Sequence, residues 1–298
     1  MTEKVNPRFF DFDLWSSENA VEAMYEGQLL AMAAIKPAVG NIARAADAAA
    51  AQLSKNNGRL VYVGAGTSGR LAVQDGAELG PTFGWPQERM VFCMAGGMDA
   101  LTISAEGAED SLSDGASAMA AAGVGETSDV VIGVAASGRT PFTLGALQEA
   151  NTRGVLTIGI VNNRDTPILA AAGHGILAET GSEIIAGSTR MKAGTAQKAI
   201  LNMLSTAVMT RMGHVFKGYM VDMIVSNKKL EDRAVKMVCA ITGCVQDEAA
   251  SALARCNMNI KCAVLVALGQ DPTTAKIILE EKTRNLRQAL EFIDAKIL

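Results

Sequence analysis

The chain predicts an α/β protein built on a parallel sheet and followed by a smaller helical region. Three observations carry that expectation. Apolar runs at 60–63, 90–95, 129–135 and 155–161 alternate with helix-forming stretches, the pattern of consecutive βαβ units. Two of those runs end in glycine and hydroxyl residues immediately before a helix. Past Gly213 the alternation stops, and from Lys228 short helical stretches follow, parted near Gly243, Asn257-Met258-Asn259 and Gly269-Gln270-Asp271-Pro272.

Taken in order, Ser16-Ser17-Glu18-Asn19 offers a helix start, and Ala-rich sequence continues to Ala51 with an interruption at Pro37. Lys55-Asn56-Asn57-Gly58 is expected to turn the chain into a first strand, Leu60-Val61-Tyr62-Val63. A glycine-hydroxyl turn follows, Gly64-Ala65-Gly66-Thr67-Ser68-Gly69, and Arg70 to Leu79 reads as a helix that Gly80-Pro81 ends. Met90 to Ala95 is a second strand, leading through Gly96-Gly97 and the acidic passage 104–111 into helical sequence ending near Ala122. Asp129 to Ala135 has the continuous apolar character of a buried parallel strand. It enters Ala136-Ser137-Gly138-Arg139-Thr140-Pro141, with Pro141 suited to the first turn of a helix reaching Arg153. Val155 to Val161 and Ile176-Leu177-Ala178 complete the strands, the last suited to a sheet edge. Gly187 to Thr195 opens a long helix to about Met212. The expected domains are an amino-terminal helical segment at 1–57, a ligand-binding α/β domain at 58–215 and a helical domain at 216–298.

The two glycine-hydroxyl junctions point to an anion. Backbone N–H groups at such a turn and in the first helical turn have no intrahelical partner, and the helix dipole adds positive potential there. Thr67, Ser68 and Gly69 at the first junction, and Ser137, Gly138 and Thr140 at the second, are candidate ligands for a phosphate monoester. The glycines at 64, 66 and 69 satisfy G-x-G-x-x-G, but the next strand ends in Ala95-Gly96-Gly97 and lacks the acidic residue that would hold a ribose. No Gly-Lys-Ser/Thr follows, so the turn is not a P-loop.

Composition narrows the classes. With 298 residues, 49% hydrophobic and 19% charged, the chain has the makings of a full core. A net charge of -4 with no basic cluster argues against nucleic acid as a partner. No apolar run approaches a membrane span and the first residues lack a signal-peptide core, so the expected location is the cytoplasm. Five cysteines without C-x-x-C spacing and only two histidines, His174 and His214, argue against a zinc site. Both histidines read as structural.

Four ordered motifs carry a family likeness: Gly64-Ala65-Gly66-Thr67-Ser68-Gly69-Arg70, Glu106-Gly107-Ala108-Glu109-Asp110, Ala135 to Pro141, and Ser188-Thr189-Arg190-Met191-Lys192-Ala193-Gly194-Thr195-Ala196-Gln197-Lys198. Together they closely resemble the N-acetylmuramic acid 6-phosphate etherase family, from about Gly58 to the carboxyl terminus. The resemblance implies a three-layer sugar isomerase (SIS) domain, flavodoxin-like or Rossmann-like, with a small carboxyl-terminal helical domain. It implies a lyase without cofactor that removes D-lactate from a phosphorylated amino sugar in cell-wall recycling. Family members pair as homodimers with sites near the interface. By the same likeness Glu78, within Asp75-Gly76-Ala77-Glu78, is the proton donor, and Glu109 is left as the base. Ser188, Arg190 and Lys192 join the candidate binding residues. Two departures stand out. Ala77-Glu78-Leu79-Gly80-Pro81-Thr82 replaces a Ser-Glu-Cys-Pro-Pro-Thr run, and Tyr25-Glu26-Gly27-Gln28 stands where the family shows Asn-Glu-Glu-Asp.

The chemistry explains a pair of carboxylates. In the open-chain sugar the aldehyde acidifies the C2 proton, and the lactyl ether oxygen on C3 lies β to that carbonyl. Elimination needs a base at C2 and an acid at the departing oxygen, and water then adds. From residues alone, Asp75 and Glu78 at i, i+3 fit a solvated polar face equally well, and Glu106 and Asp110 are as eligible as Glu109. Arg190 and Lys192 either neutralise substrate charge or cap and solvate the helix they open. Two other readings of the fold remain: a sugar phosphate isomerase, which needs one base moving a proton between C1 and C2, and a sugar-phosphate-sensing regulatory protein.

Overall fold

The computed structural model describes residues 2–55, 58–125 and 128–297. Asn56 and Asn57, expected in the turn before the first strand, lie outside the described residues. Ser16 opens α1 (Ser17–Ala33), its side chain accepting from the Asn19 N–H, and a 3-10 turn containing Pro37 separates it from α2 (Val39–Leu53). There follow β1 (Leu60–Gly64), α3 (Gly66–Ala77), α4 (Leu79–Phe83), β2 (Met90–Met94), α5 (Leu112–Ala121), β3 (Val130–Ala135), α6 (Pro141–Thr152), β4 (Leu156–Val161), α7 (Pro167–Ala171), β5 (His174–Leu177) and α8 (Lys192–Arg211). The remainder is a hairpin, β6 (Val215–Phe216) and β7 (Tyr219–Met220), then α9 (Lys228–Thr242), α10 (Gln246–Arg255), α11 (Ile260–Ala267), α12 (Pro272–Glu281) and α13 (Leu286–Ile297).

The expected α/β class is what the chain adopts. Strands β1 to β5 form a wholly parallel sheet in the order β2-β1-β3-β4-β5, with β5 at an edge. Pleating sends alternate residues to opposite faces. Val61, Val63, Val131 and Val161 pack with Met119 of α5, Phe142, Ala146, Leu147 and Ala150 of α6, and Ile168 of α7. Tyr62 points the other way, towards α3 and α8, where its hydroxyl meets Asp75. Helices therefore cover both faces, as a sheet of continuous apolar strands requires. The chain runs outward from β1 to β2 and then returns past β1 to β3, so the strand order reverses there. Open α/β sheets bind ligands at the carboxyl ends of the strands flanking such a reversal.

Three local expectations need correction. The first junction is tighter than expected: α3 begins at Gly66, so Thr67, Ser68 and Gly69 form its first turn. The helix ends at Ala77 and Gly80-Pro81 lies inside α4, because a proline in a first turn forfeits no intrahelical bond. Gly84 closes α4 in the left-handed region, with φ 63°. The β6–β7 hairpin carries no Asn-Gly signal in the sequence: its turn residues, Lys217 and Gly218, both take positive φ.

The chain packs as two compact units, Met1–Ala77 with Glu88–Val208, and Glu78–Gln87 with Met209–Leu298. The second is centred on α11, whose residues 260–266 are all buried. Residues 78–87 join it through the Ile224 N–H, which donates to the Pro81 carbonyl, and through Gly84, where a Cβ would stand 2.6 Å from the Asp222 carbonyl oxygen. Buried Lys261 is paired with Asp222, which His214 also approaches at 2.8 Å.

Candidate active site

At the first junction Gly66 has φ 51°, and the Gly69 N–H donates to the Ala65 carbonyl at 3.0 Å. Donors earlier in the turn, at Thr67 and Ser68, precede the first i to i−4 bond of α3 and face out of its end. Gly69 serves by its bareness, since a Cβ there would lie 2.8 Å from the backbone carbon and oxygen of Gly64. Ser68 is buried and Thr67 is half-buried.

The second junction lies alongside, because β1 and β3 are paired with Gly64 opposite Val134. Ser137 Oγ accepts from the Arg139 N–H at 3.1 Å and stands 3.5 Å from Thr140 Oγ1. Gly138 has φ 65°, and a Cβ would come within 2.4 Å of Thr166 Oγ1. The Gly138 carbonyl accepts from the Ile168 N–H of α7. The backbone around Ser137 is thus fixed from two sides.

The Ser188 to Thr195 motif reaches the same place. A Cβ on Gly194 would stand 3.5 Å from Thr67 Cγ2, so the first turn of α8 packs on the first turn of α3. Ser188 is half-buried and Arg190 is exposed. Lys192 is different: it is buried and its Nζ donates to the Thr180 carbonyl at 2.8 Å. Burial pushes its pKa down, with nearby Glu183 opposing. Glu183, wholly buried, accepts from the Lys192 and Ala193 N–H groups at 3.0 and 2.9 Å and so caps α8.

Glu109 is exposed, and its carbonyl accepts from the Phe142 N–H in the first turn of α6 at 3.0 Å. It lines a solvent-open cleft together with Ala65, Gly66, Arg70, Met94 and Ala95. Glu106 and Asp110 line the same cleft. Arg70 shapes its wall, donating from Nε to the carbonyls of Ala100 and Leu101 at 3.1 and 3.0 Å. Glu78 is exposed, directly follows α3, and belongs to the second unit. Its carbonyl accepts from the Thr82 N–H at 3.2 Å. Among the described residues no group of three His, Cys, Asp or Glu side chains could hold a metal ion.

Sequence reasoning missed Asp75. It is 6% exposed and accepts hydrogen bonds from Tyr62 Oη at 2.9 Å, Asn202 Nδ2 at 2.7 Å and Ser205 Oγ at 3.2 Å. The signal was present in the helical stripe Ser68, Ala72, Asp75, which falls on the buried face of α3.

Comparisons with known proteins agree with this architecture. Residues 41–151 match the family described as glucokinase regulatory protein N-terminal SIS domain, and residues 112–207 match the SIS domain. A solved structure from Bacteroides fragilis NCTC 9343, described as a phosphosugar isomerase of capsule formation, has a TM-score of 0.50 at 20% identity. It covers 67% of this chain and 94% of its own. N-acetylmuramic acid 6-phosphate etherase from Deinococcus radiodurans is 46% identical over 97% of this chain and 94% of its own length. The etherase of that name from Salmonella typhi is 44% identical over 98% of each. Identity at that level over nearly the whole length places the chain in the N-acetylmuramic acid 6-phosphate etherase family.

Proposed function

We propose that the chain cleaves the D-lactyl ether of N-acetylmuramic acid 6-phosphate, giving N-acetylglucosamine 6-phosphate and D-lactate in peptidoglycan recycling. The observation that carries this reading is the pairing of two hydroxyl-bearing turns at the strand reversal, in a chain with etherase relatives. Thr67, Ser68, Ser137, Thr140 and Ser188 bind the monoester through hydroxyls and freed N–H groups. Gly69 and Gly138 let the backbone come close, and Arg190 and Lys192 offset the ligand's charge. With the sugar open, one carboxylate takes the C2 proton while the other protonates the ether oxygen. The C3–O bond breaks, D-lactate departs, and water adds across the unsaturated aldehyde to return a hydroxyl to C3. The pair must start in opposite protonation states. Glu78 is the donor and Glu109 the base.

Incubation with N-acetylmuramic acid 6-phosphate is expected to release D-lactate without added metal or nucleotide and equally well with a chelator present. Isotopic water is expected to label C3 of the product. Conversion of an aldose phosphate to a ketose without lactate would favour the isomerase reading, and tight binding without turnover the sensor. Cytoplasmic action agrees with the free thiols of all five cysteines. No single helix among the described residues is long and apolar enough to cross a membrane. Homodimerisation agrees with an apolar stripe exposed on α1.

A further inference from the structure

Asp75 lies away from the monoester turns, and no step of the reaction uses it. Its surroundings are nonetheless built. Three donors from β1 and α8 converge on one carboxylate that is almost fully removed from water. Burial raises its pKa from the ordinary carboxylate value, with the hydrogen bonds from Asn202, Tyr62 and Ser205 and the charge of Lys198 opposing. A buried acid of this kind is a poor way to gain stability, since apolar or neutral packing of similar shape often does as well. Its position on α3 offers another reason for it.

The two halves of α3 are held by different means. The amino-terminal half is locked by the close approach of Gly69 to Gly64 and by Arg70 on the carbonyls of Ala100 and Leu101. Those anchors fix Thr67 and Ser68. In the carboxyl-terminal half, Asp75 ties the helix to Tyr62 on one side and to Asn202 and Ser205 on the other. Gly76 beside it is pressed under Phe92 and Tyr62, where a Cβ would lie 2.6 Å from Phe92 Cε1. The rotation of this last turn sets the direction in which the chain leaves the helix at Ala77, and the next residue is Glu78.

We propose that Asp75 is a positioning residue for the etherase reaction, holding the last turn of α3 so that Glu78 is presented in its working direction. This deepens the reading above and rests on the donor role of Glu78. Because the phosphate end of the helix has its own anchors, disturbing Asp75 separates turnover from binding.

The test compares Asp75→Asn, Tyr62→Phe and Glu78→Gln in the full chain, reading kcat, KM, and affinity for N-acetylglucosamine 6-phosphate. Asp75→Asn keeps the shape but no longer accepts from all three donors, and kcat is expected to fall about 10²-fold, the scale of a 1 Å misplacement. Affinity for the sugar phosphate stays within about twofold, as expected when only a transition-state interaction is lost. Tyr62→Phe removes one donor and gives a smaller loss with the same split, which keeps the proposal open to refutation should Asp75→Asn fail to fold. Unchanged kcat in both variants, or equal losses of turnover and affinity, would overturn it. Retention of activity in Glu78→Gln would instead sink the donor assignment, whatever Asp75 does.

Discussion

Ser137 is the residue whose contribution to binding is easiest to isolate. Its hydroxyl already accepts from the Arg139 N–H, so the oxygen is held and its proton is left to donate. A serine that donates to a phosphate oxygen makes a charge-assisted hydrogen bond, and losing it costs about 1.5–3 kcal/mol. Ser137→Ala is therefore expected to weaken N-acetylglucosamine 6-phosphate binding about tenfold to a hundredfold with unchanged thermal stability, measured by calorimetric titration and melting. Unaltered affinity would remove Ser137 from the site. Residues such as Ser137 and Thr67 were legible in the sequence because a glycine-hydroxyl turn between strand and helix advertises itself locally. For Asp75 the stripe on α3 signals burial only, because its partners Asn202 and Ser205 lie far along the chain on α8.

At the scale of elements, the strands and helix starts followed from periodicity and from caps such as Ser16. What stayed hidden was decided by packing. Gly80-Pro81 looks like a helix end until α4 is seen to carry the proline in a turn that needs no donor. Lys192 is legible as a cation near a helix start, but nothing local shows that Thr180 and Glu183 will be brought to it. The cap of α8 illustrates what such contacts contribute. Both Glu183 oxygens accept N–H groups at the helix start, where charge and dipole agree. Glu183→Gln keeps one acceptor, turns an amide towards the other donor, and leaves Lys192 without its carboxylate neighbour. Equilibrium urea unfolding is expected to show a loss of about 1–3 kcal/mol. An unchanged midpoint would mean that the helix start is satisfied without the charge.

For the molecule as a whole, α1 poses the clearest question. Val21, Tyr25, Leu29 and Met32 are 59, 58, 53 and 49% exposed, and their spacing of four, four and three residues puts them on one face of the helix. The opposite side is spent within the chain, since Ala23, Gly27 and Ala31 are buried and Gly27 packs near Ile184 and Lys192. A contiguous apolar stripe on a helix so anchored marks a surface that another protein covers. A second copy of the chain would cover it economically, because a two-fold axis lets one stripe meet its own image. Tyr25 belongs to the Tyr25-Glu26-Gly27-Gln28 stretch, which departs from the run that the resemblance leads one to expect. The double variant Tyr25→Lys, Leu29→Glu changes only exposed positions, where folding stability moves by about 0.5 kcal/mol or less. Light scattering is expected to give the unaltered chain twice its 31.1 kDa and the variant a single mass, with the circular dichroism of the two alike. If the unaltered chain is already monomeric, or the variant still pairs, the stripe is not the dimer face. Loss of lactate release in a folded monomeric variant would further show that the site is complete only in the pair.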